Sequence, residues 1–236
     1  MKRTVIITGG TKGLGREMAL AFGRAGYTVL ALYSSDTQAA KELDAALAEA
    51  KGTGAAVRHD VCSDDTAVWN RPEIQEAEHL TLVHNACTAF SPLPMHQLGW
   101  LDFDASLSVA VKGAWLCSQR LIPLMVKRKS GAIVTILTNA IETLPPKGFA
   151  AYATAKHALR GFTLALATEY SSRGIKVFSV SPGFMDTPLS QQWDPRLREL
   201  IRANSERITI PATAAARTLQ LVGDSKIPGR GESYPV

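Results

Sequence analysis

The sequence predicts an α/β fold in which helices cover both faces of one parallel β-sheet. Short β-branched runs without polar alternation recur along the chain, which is typical of strands buried on both faces. Amphipathic stretches of helical period separate these runs, so that strand and helix alternate. The 236 residues, 46% of them hydrophobic, are enough for one such domain with a buried core.

The first predicted strand leads into a glycine-rich turn. Residues 4–8 form the strand and residues 16–24 form an amphipathic helix. Between them lies the turn Gly9-Gly10-Thr11-Lys12-Gly13-Leu14-Gly15. Glycines let a backbone approach a pyrophosphate, and free amides at a helix start favour negative charge. Because the spacing differs from G-x-G-x-x-G, an ordinary turn and a phosphate cradle are equally acceptable interpretations.

The next strand and helix complete a βαβ unit over residues 26–33 and 37–50. In nucleotide-binding folds the end of this second strand lies beside the adenosine ribose. An acidic residue there accepts hydrogen bonds from a free 2′-hydroxyl, whereas a 2′-phosphate needs hydroxyls and cations. The residues Tyr33-Ser34-Ser35, together with Lys12, favour NADPH. Asp36 would favour NADH if the register shifted by one residue.

Polar or turn-forming residues follow each of the next four predicted strands. These strands span residues 55–59, 80–84, 132–137 and 175–181. The residues that follow them are Asp60-Val61, Asn85-Ala86-Cys87, Thr138-Asn139 and Pro182-Gly183. The carboxyl ends of parallel strands share one edge of a sheet, so we expect a ligand crevice there. Taken singly, each residue also fits a helix cap or a turn.

The remaining elements are two long helices, a polar segment and the C-terminal region. Apolar residues at helical spacing predict helices over residues 103–127, with Gly113 inside, and over 150–172. Residues 184–210 are irregular and rich in arginine, which suits a lid over a substrate. A last helix is predicted over 212–222, followed by a short strand or tail over 231–236. We therefore expect one domain over residues 1–236.

Tyr152 and Lys156 lie four residues apart in the predicted helix 150–172, so they share one helix face. A free tyrosine ionises near pH 10, and acid-base chemistry at neutral pH requires a pKa roughly three units lower. A neighbouring ammonium favours the ionised phenol and supplies part of that shift, and a bound cationic nicotinamide ring would supply more. Alone, the pair also fits an ordinary helix surface.

Composition excludes several classes of protein. The net charge is +5 and the pI about 9.2, but the basic residues are scattered rather than gathered into an arm, which disfavours nucleic-acid binding. Cys62, Cys87 and Cys117 lie in apolar segments, so we expect reduced core cysteines and no metal site. With neither a cleavage site after Met1 nor an apolar run of membrane length, we expect a soluble, cytoplasmic protein.

Taken together, these residues resemble the short-chain dehydrogenase/reductase family, in its ketoacyl-reductase-like branch. The resemblance covers nearly the whole chain, and the motifs occur in the family's order and spacing: Thr8-Gly9 with Gly13 and Gly15, Asp60-Val61, Asn85-Ala86, Tyr152 with Lys156, and Pro182-Gly183 with Thr187. It implies a single-domain, Rossmann-like doubly wound fold with a seven-stranded parallel sheet, and a nicotinamide cofactor.

The resemblance also implies roles for individual residues. Tyr152 would exchange a proton with the substrate oxygen, Thr138 would polarise that oxygen, and Lys156 would bind the nicotinamide ribose and favour the ionised phenol. Besides Tyr152, Lys156 and Ser34, the predicted cofactor-binding residues fall into four groups. For the pyrophosphate and adenosine side they are Gly9, Thr11, Lys12, Gly13, Leu14 and Gly15, and for the adenine they are Asp60 and Val61. For the adjoining ribose they are Asn85 and Ala86, and for the nicotinamide they are Pro182, Gly183 and Thr187.

Three positions depart from the family pattern. Thr138 stands in place of the usual serine, one residue further from the tyrosine, so Asn139 is an alternative for that role. Ala110 replaces the asparagine that supports a water relay to the lysine, so we expect a different proton supply or slow turnover. Cys87 replaces the glycine after Asn85-Ala86 and crowds the cofactor's surroundings.

These observations predict an NADP-dependent oxidoreductase that interconverts a ketone or β-ketoacyl group and the corresponding alcohol. The alternative is a cofactor-binding homologue with little turnover, which acts as a sensor or assembly subunit. The resemblance implies either a small-molecule substrate or one held by acyl carrier protein, with Lys129 and Arg173 matching positions where ketoacyl reductases meet that acidic partner. It also implies a homodimer or homotetramer.

Overall fold

Seven parallel strands form a single sheet in the computed structural model, which describes residues 1–236. The strands are β1 Arg3–Thr8, β2 Thr28–Tyr33, β3 Thr53–Arg58, β4 His79–His84, β5 Gly131–Ile136, β6 Ile175–Ser181 and β7 Arg230–Pro235. Their order across the sheet is β3-β2-β1-β4-β5-β6-β7. The order reverses between β1 and β4, the point at which doubly wound sheets form a ligand crevice. The predicted Rossmann-like fold is confirmed.

Helices connect the strands and cover both faces of the sheet. They are α1 Gly13–Arg24, α2 Thr37–Glu49, α3 Pro72–Gln75, α4 Trp100–Leu107, α5 Gly113–Arg128, α6 Ala150–Tyr170, α7 Pro188–Gln191, α8 Pro195–Ala203 and α9 Pro211–Gly223. Proline is the first residue of α3, α7, α8 and α9, where its missing N–H costs no helical hydrogen bond. None of the helices combines the length and the apolar character needed to cross a membrane.

The sheet separates two hydrophobic cores. Successive residues of β1 point to opposite faces, so Val5 and Ile7 pack in one core and Ile6 packs in the other. The first core includes Phe22 of α1 and the second includes Leu121 of α5. Because both faces of the strands are buried, their sequences lack polar alternation.

The segment predicted as one helix over residues 103–127 is two helices. A π-helical turn at Ser108–Lys112 separates α4 from α5. The second helix begins at Gly113, where a β-carbon would lie 2.7 Å from Cγ2 of Val61. The prediction of a single uninterrupted helix is wrong, because apolar spacing does not distinguish one wider turn from regular α-helix.

Residues 184–210 are also more regular than predicted, because they contain α7 and α8. Asp194 begins α8 by accepting hydrogen bonds from the N–H groups of Arg196 and Leu197, both at 3.0 Å. Trp193 and Ile201 are buried, whereas Arg196 is exposed. The segment therefore packs against the body of the protein through its apolar side chains.

Candidate active site

A cleft of about 410 Å³ opens at the carboxyl edge of the sheet. It runs from the residues after β2, past the glycine turn between β1 and α1, to α6. The predicted cofactor-binding residues that line it are Gly9, Thr11, Lys12, Gly13, Leu14, Gly15, Ser34, Asn85, Ala86, Tyr152, Lys156 and Thr187. Residues from five separate segments thus converge on one cavity.

The glycine turn is packed so closely that side chains would fill it. Gly9 and Gly13 have φ angles of 61° and 52°, in the left-handed region that favours glycine. A β-carbon on Gly15 would lie 2.1 Å from the Gly9 carbonyl oxygen and 2.7 Å from Nδ2 of Asn85. That Nδ2 donates to the carbonyl oxygens of Thr8 and Gly9, both at 3.0 Å. Asn85 therefore braces the turn through its side chain.

The start of α1 is open towards the cleft. Lys12 is the N-cap residue, and its side chain makes no hydrogen bond to the first helical amides. These amides carry the positive end of the helix dipole. The arrangement suits a bound anion such as a pyrophosphate.

Charged and hydroxyl groups mark the far end of the cleft, beyond β2. Nζ of Lys12 lies 2.8 Å from Oδ2 of Asp36, and both side chains are partly exposed. Asp36 also caps α2 by accepting a hydrogen bond from the amide of Ala39 at 3.0 Å. Ser34 lines the same end, and Nε of Arg58 donates to its carbonyl oxygen at 3.2 Å. This end of the cleft therefore combines a hydroxyl with a carboxylate already paired with Lys12, and Arg58 holds the backbone beside them.

Tyr152 and Lys156 lie together on α6 at the other end of the cleft. Nζ of Lys156 is 5.7 Å from the centre of the Tyr152 ring and donates to the Ile136 carbonyl oxygen at 2.6 Å. Lys156 is only 4% exposed, and burial lowers the pKa of its ammonium. This arrangement anchors the lysine to the end of β5.

Burial governs the pKa of Tyr152 in the chain by itself. Burial raises it above its ordinary value, and the Cys87 thiol, when ionised, adds to the rise. The Thr138 hydroxyl lowers the pKa as a hydrogen-bond partner, but this effect is smaller. In the chain by itself the pKa of Tyr152 therefore lies above its ordinary value, because burial of the phenol dominates. The lowering expected from Lys156 together with a bound nicotinamide stays a prediction.

Thr138 and Asn139 both lie close to Tyr152 but differ in what they contact. Oγ1 of Thr138 accepts a hydrogen bond from the amide of Ala140 at 3.2 Å, which leaves its own hydrogen free to donate. The amide of Asn139 donates to the carbonyl oxygen of Pro182 at 2.9 Å and so links the ends of β5 and β6. The effect on the pKa of Tyr152 favours Thr138 over Asn139 as the group that polarises a substrate oxygen.

The other two residues that depart from the family pattern, Cys87 and Ala110, also lie near this site. Cys87 lines the cleft and donates to the carbonyl oxygen of Thr88 at 3.4 Å, and burial raises the pKa of its thiol. Ala110 is buried in the π-helical turn and lines a small pocket with His84 and Leu159. Position 110 therefore offers only a methyl group, and the amide that the family pattern supplies there is missing.

A second cavity of about 90 Å³, which we call the aromatic chamber, shares Tyr152 and Thr187 with the cleft. Phe90 stacks on Tyr152 with ring centres 5.0 Å apart, and Phe149 packs edge-on against Phe90 at 5.2 Å. Nε1 of Trp193 donates to the Phe90 carbonyl oxygen at 2.7 Å. The remaining predicted residues that line this chamber are Thr138, Pro182 and Gly183.

Asp60 and Val61 line neither cavity. Oδ1 of Asp60 accepts a hydrogen bond from the amide of Cys62 at 2.9 Å, which forms a turn after β3. Val61 packs against Gly113 at the start of α5. Local turn geometry and packing therefore account for both residues, and their predicted contact with adenine stays a prediction.

The site also contains residues that the sequence analysis does not assign to it. Phe90, Phe149 and Trp193 come from three separate segments and share no motif, so only tertiary packing brings them together. Gln192 lines the cleft next to Trp193 without any motif of its own. No local pattern in the sequence identifies these residues as neighbours of Tyr152.

Comparison with known protein families agrees with this architecture. The family model described as short chain dehydrogenase matches residues 3–198. The chain belongs to the short chain dehydrogenase family. Its resemblance to ketoacyl reductases is also confirmed, because the chain is 29% identical over 233 residues to the 3-oxoacyl-[acyl-carrier-protein] reductase FabG of Thermotoga maritima, a match that covers 94% of this chain and 91% of the relative.

Other family members carry different names. The chain is 32% identical over 200 residues to 3beta-hydroxysteroid dehydrogenase 1 of Eggerthella lenta, covering 83% of this chain and 76% of the relative. Among solved structures, a Beutenbergia cavernae protein described as an NAD(P) dependent gluconate 5-dehydrogenase, with bound NADP, matches with a TM-score of 0.84 and 29% identity. That match covers 99% of this chain and 94% of the neighbour.

Short chain dehydrogenases bind NAD(P), and the residues of the cleft fit that group. The glycine turn has no room for β-carbons where a pyrophosphate approaches, and the uncapped start of α1 suits its charge. The cleft is long enough to run from the Ser34 end to Tyr152, which joins the positions for an adenosine and a nicotinamide.

Proposed function

We propose that this short chain dehydrogenase is an NADP-dependent oxidoreductase that interconverts a ketone or β-ketoacyl group and the corresponding alcohol. The observation that carries the proposal is the position of Tyr152 in the wall shared by the cleft and the aromatic chamber, with Lys156 on the cleft side and Thr138 on the chamber side. A substrate oxygen in the chamber would thus meet two hydroxyl groups.

In the proposed mechanism Tyr152 acts as the acid for reduction. The phenol carries the proton that the carbonyl oxygen needs. Because burial raises its pKa in the chain alone, proton transfer depends on stabilisation of the phenolate by Lys156 and by a bound cationic nicotinamide. Thr138 donates a hydrogen bond to the same oxygen and stabilises the negative charge that develops on it. A nicotinamide held beside Lys156 would supply the hydride for the carbonyl carbon.

Lys156 positions the cofactor in this scheme. Its side chain is buried and held by the Ile136 carbonyl, so its ammonium has a defined location beside the phenol. A cation there binds ribose hydroxyls and stabilises the phenolate that remains after proton transfer. Because position 110 holds an alanine, the proton that restores Tyr152 must come from solvent or through another group.

The preference for NADPH rests on the far end of the cleft. Lys12, Ser34 and Arg58 offer cations and a hydroxyl to a 2′-phosphate, and the carboxylate of Asp36 is engaged by Lys12 and by the start of α2. A free carboxylate at this place would favour NADH instead. The NADP bound in the related Beutenbergia cavernae structure supports the same choice.

The position of the basic residues favours a free small molecule over a carrier-bound substrate. Lys129 lies two residues before β5, and Arg173 lies two residues before β6, both at the amino edge of the sheet. Thr138 and Pro182 follow the same strands at the carboxyl edge, roughly 20 Å away for a six-residue strand. A carrier protein bound to Lys129 and Arg173 would therefore not lie at the mouth of the same chain's cleft.

The test combines cofactor titration with a single substitution. We expect NADPH to bind more tightly than NADH, as measured by nicotinamide fluorescence, and a panel of ketones and β-ketoacyl thioesters to include compounds that oxidise bound NADPH. Tyr152→Phe should bind NADPH as the native protein does but lose this oxidation. Tight cofactor binding without turnover of any compound would favour the sensor or assembly role, and failure to bind either cofactor would refute both functions.

A further inference from the structure

The aromatic chamber has no charged group in its wall. Its only titratable side chain is Tyr152, and its polar side chains are hydroxyls and one amide. Two of the hydroxyls already donate to backbone oxygens, that of Ser190 to Met185 at 3.0 Å and that of Ser205 to Ile201 at 2.7 Å. The hydroxyls of Tyr152 and Thr138 donate to no backbone oxygen and are hydrogen-bond partners of each other. A substrate oxygen would take up these donors, while the rest of the molecule would meet apolar surface.

The cations nearest to the chamber are directed elsewhere. Lys156 lies on the cleft side of Tyr152 and donates to the Ile136 carbonyl oxygen. Of the arginines in residues 184–210, Arg198 is half-buried and the other three are exposed to solvent, and none of the four lines the chamber. A carboxylate or phosphate in the chamber would therefore lose its hydration without gaining a cationic partner.

The aromatic rings are arranged to hold a flat group. Phe149 and Trp193 meet at 5.4 Å with ring planes inclined by 73°, and Phe149 also packs edge-on against Tyr152 at 5.7 Å. Phe90 contacts all three of these rings. Phe149 and Trp193 are almost fully buried, which leaves them little freedom to turn. Tilted and edge-on rings of this kind attract the faces and edges of a further ring.

The chamber is also small. Its 90 Å³ is well below the roughly 300–1,000 Å³ of typical small-molecule sites. A cavity of about 290 Å³ adjoins it on the other side of Phe90 and contains the carboxylate of Asp102. Movement of the Phe90 side chain would join the two spaces, and Asp102 would add to the rejection of anions.

We infer that the substrate of the proposed reaction is an uncharged carbonyl compound with a flat or compact apolar group on the carbonyl carbon, such as an aryl or cyclic ketone, and that Phe90, Phe149 and Trp193 select it. This inference rests on the proposed function, which it narrows. Anionic carbonyl compounds of equal size are then poor substrates because the chamber cannot compensate their charge.

Binding is tested without turnover by titrating NADPH-saturated Tyr152→Phe protein calorimetrically with matched pairs of ketones. The pairs are acetophenone with 4-acetylbenzoate, and cyclohexanone with 4-oxocyclohexanecarboxylate. We expect the uncharged member of each pair to bind at least about 100-fold more tightly. Equal affinity within both pairs, tighter binding of the anions, or no binding of either uncharged ketone would overturn the inference.

Turnover of the same compounds separates this inference from the proposed function. Native protein that oxidises NADPH fastest with the anionic ketones would retain the proposed function but refute the substrate class. Native protein that binds the uncharged ketones as expected, but reduces none of the ketones and β-ketoacyl thioesters of the panel, would refute the proposed function and leave only the binding preference of the chamber.

The role of the chamber wall is tested by replacing tryptophan with phenylalanine at two positions, one in the wall and one outside it. Trp193→Phe keeps an aromatic ring but removes the hydrogen bond to Phe90, and it should raise KM for the aryl ketone at least fivefold with little effect on NADPH affinity. Trp115→Phe is the matched control, because Trp115 is 48% exposed on α5 and outside the chamber. Equal effects of the two substitutions would show that Trp193 does not select the substrate.

Discussion

Alanine in place of Gly15 should destabilise the protein, whereas alanine in place of Gly161 should stabilise it. Both glycines are helical, Gly15 in α1 and Gly161 in α6, so the gain in helix propensity is about 1 kcal/mol in each case. Because nothing lies within 4 Å of a β-carbon added at Gly161, the full gain in helix propensity should appear as unfolding free energy.

At Gly15 the new β-carbon meets the backbone of the preceding turn. Its 2.1 Å separation from the Gly9 carbonyl oxygen requires a shift of the backbone, and such overpacking costs about 1–3 kcal/mol. The same atom lies 2.7 Å from Nδ2 of Asn85, and loss of either hydrogen bond of that amide costs about 1–3 kcal/mol more. Against the propensity gain, we expect a net destabilisation of about 1–5 kcal/mol.

The assay is urea denaturation with and without NADPH. Saturation to 100 times Kd should stabilise the native protein and Gly161→Ala by about 2.7 kcal/mol. Gly15→Ala should lose most of this increment, because its glycine turn is displaced. If Gly15→Ala proved as stable as Gly161→Ala and kept its response to NADPH, the close packing of the turn would be refuted.

Three further predictions concern the two ends of the cleft and the buried histidine. Thr138→Val should lower kcat/KM about 100-fold without loss of stability, whereas Asn139→Ala should have less than a tenth of that effect in steady-state assays. Lys12→Met should weaken NADPH binding roughly tenfold and NADH binding less than threefold, as measured by fluorescence titration. Burial lowers the pKa of His84 to about 3, so the folded state binds fewer protons than the unfolded state between about pH 3 and 6.5. Lowering the pH from 7 to 5 should therefore cost about 2 kcal/mol of unfolding free energy, a loss that His84→Gln should largely avoid.

Each of these predictions has a clear contrary result. A larger effect of Asn139→Ala than of Thr138→Val would transfer the polarising role to Asn139. Equal losses of NADPH and NADH affinity in Lys12→Met would mean that Lys12 binds the shared pyrophosphate and does not select the 2′-phosphate. Identical acid sensitivity of native protein and His84→Gln would assign the loss of stability to other groups.

Much of the fold follows from local patterns in the chain. Strands buried on both faces need unbroken apolar runs, so β1 and β5 are evident from composition alone. The π-helical turn at Ser108–Lys112 is not evident, because a single wider turn leaves the apolar spacing almost unchanged. The helix α8 is not evident either, because its four charged residues outnumber its single buried side chain, that of Ile201.

In the candidate site, too, some features follow from the sequence and others only from the tertiary structure. The spacing of Tyr152 and Lys156, and the glycines from Gly9 to Gly15, are determined by the sequence, because each set acts within one element and its neighbouring turn. The rise in the pKa of Tyr152 and the direction of the Lys156 ammonium depend on burial and on the end of β5, which no local pattern specifies. The aromatic chamber depends on tertiary structure altogether, because Phe90, Phe149 and Trp193 are far apart in the chain and meet only where the sheet edge brings their segments together.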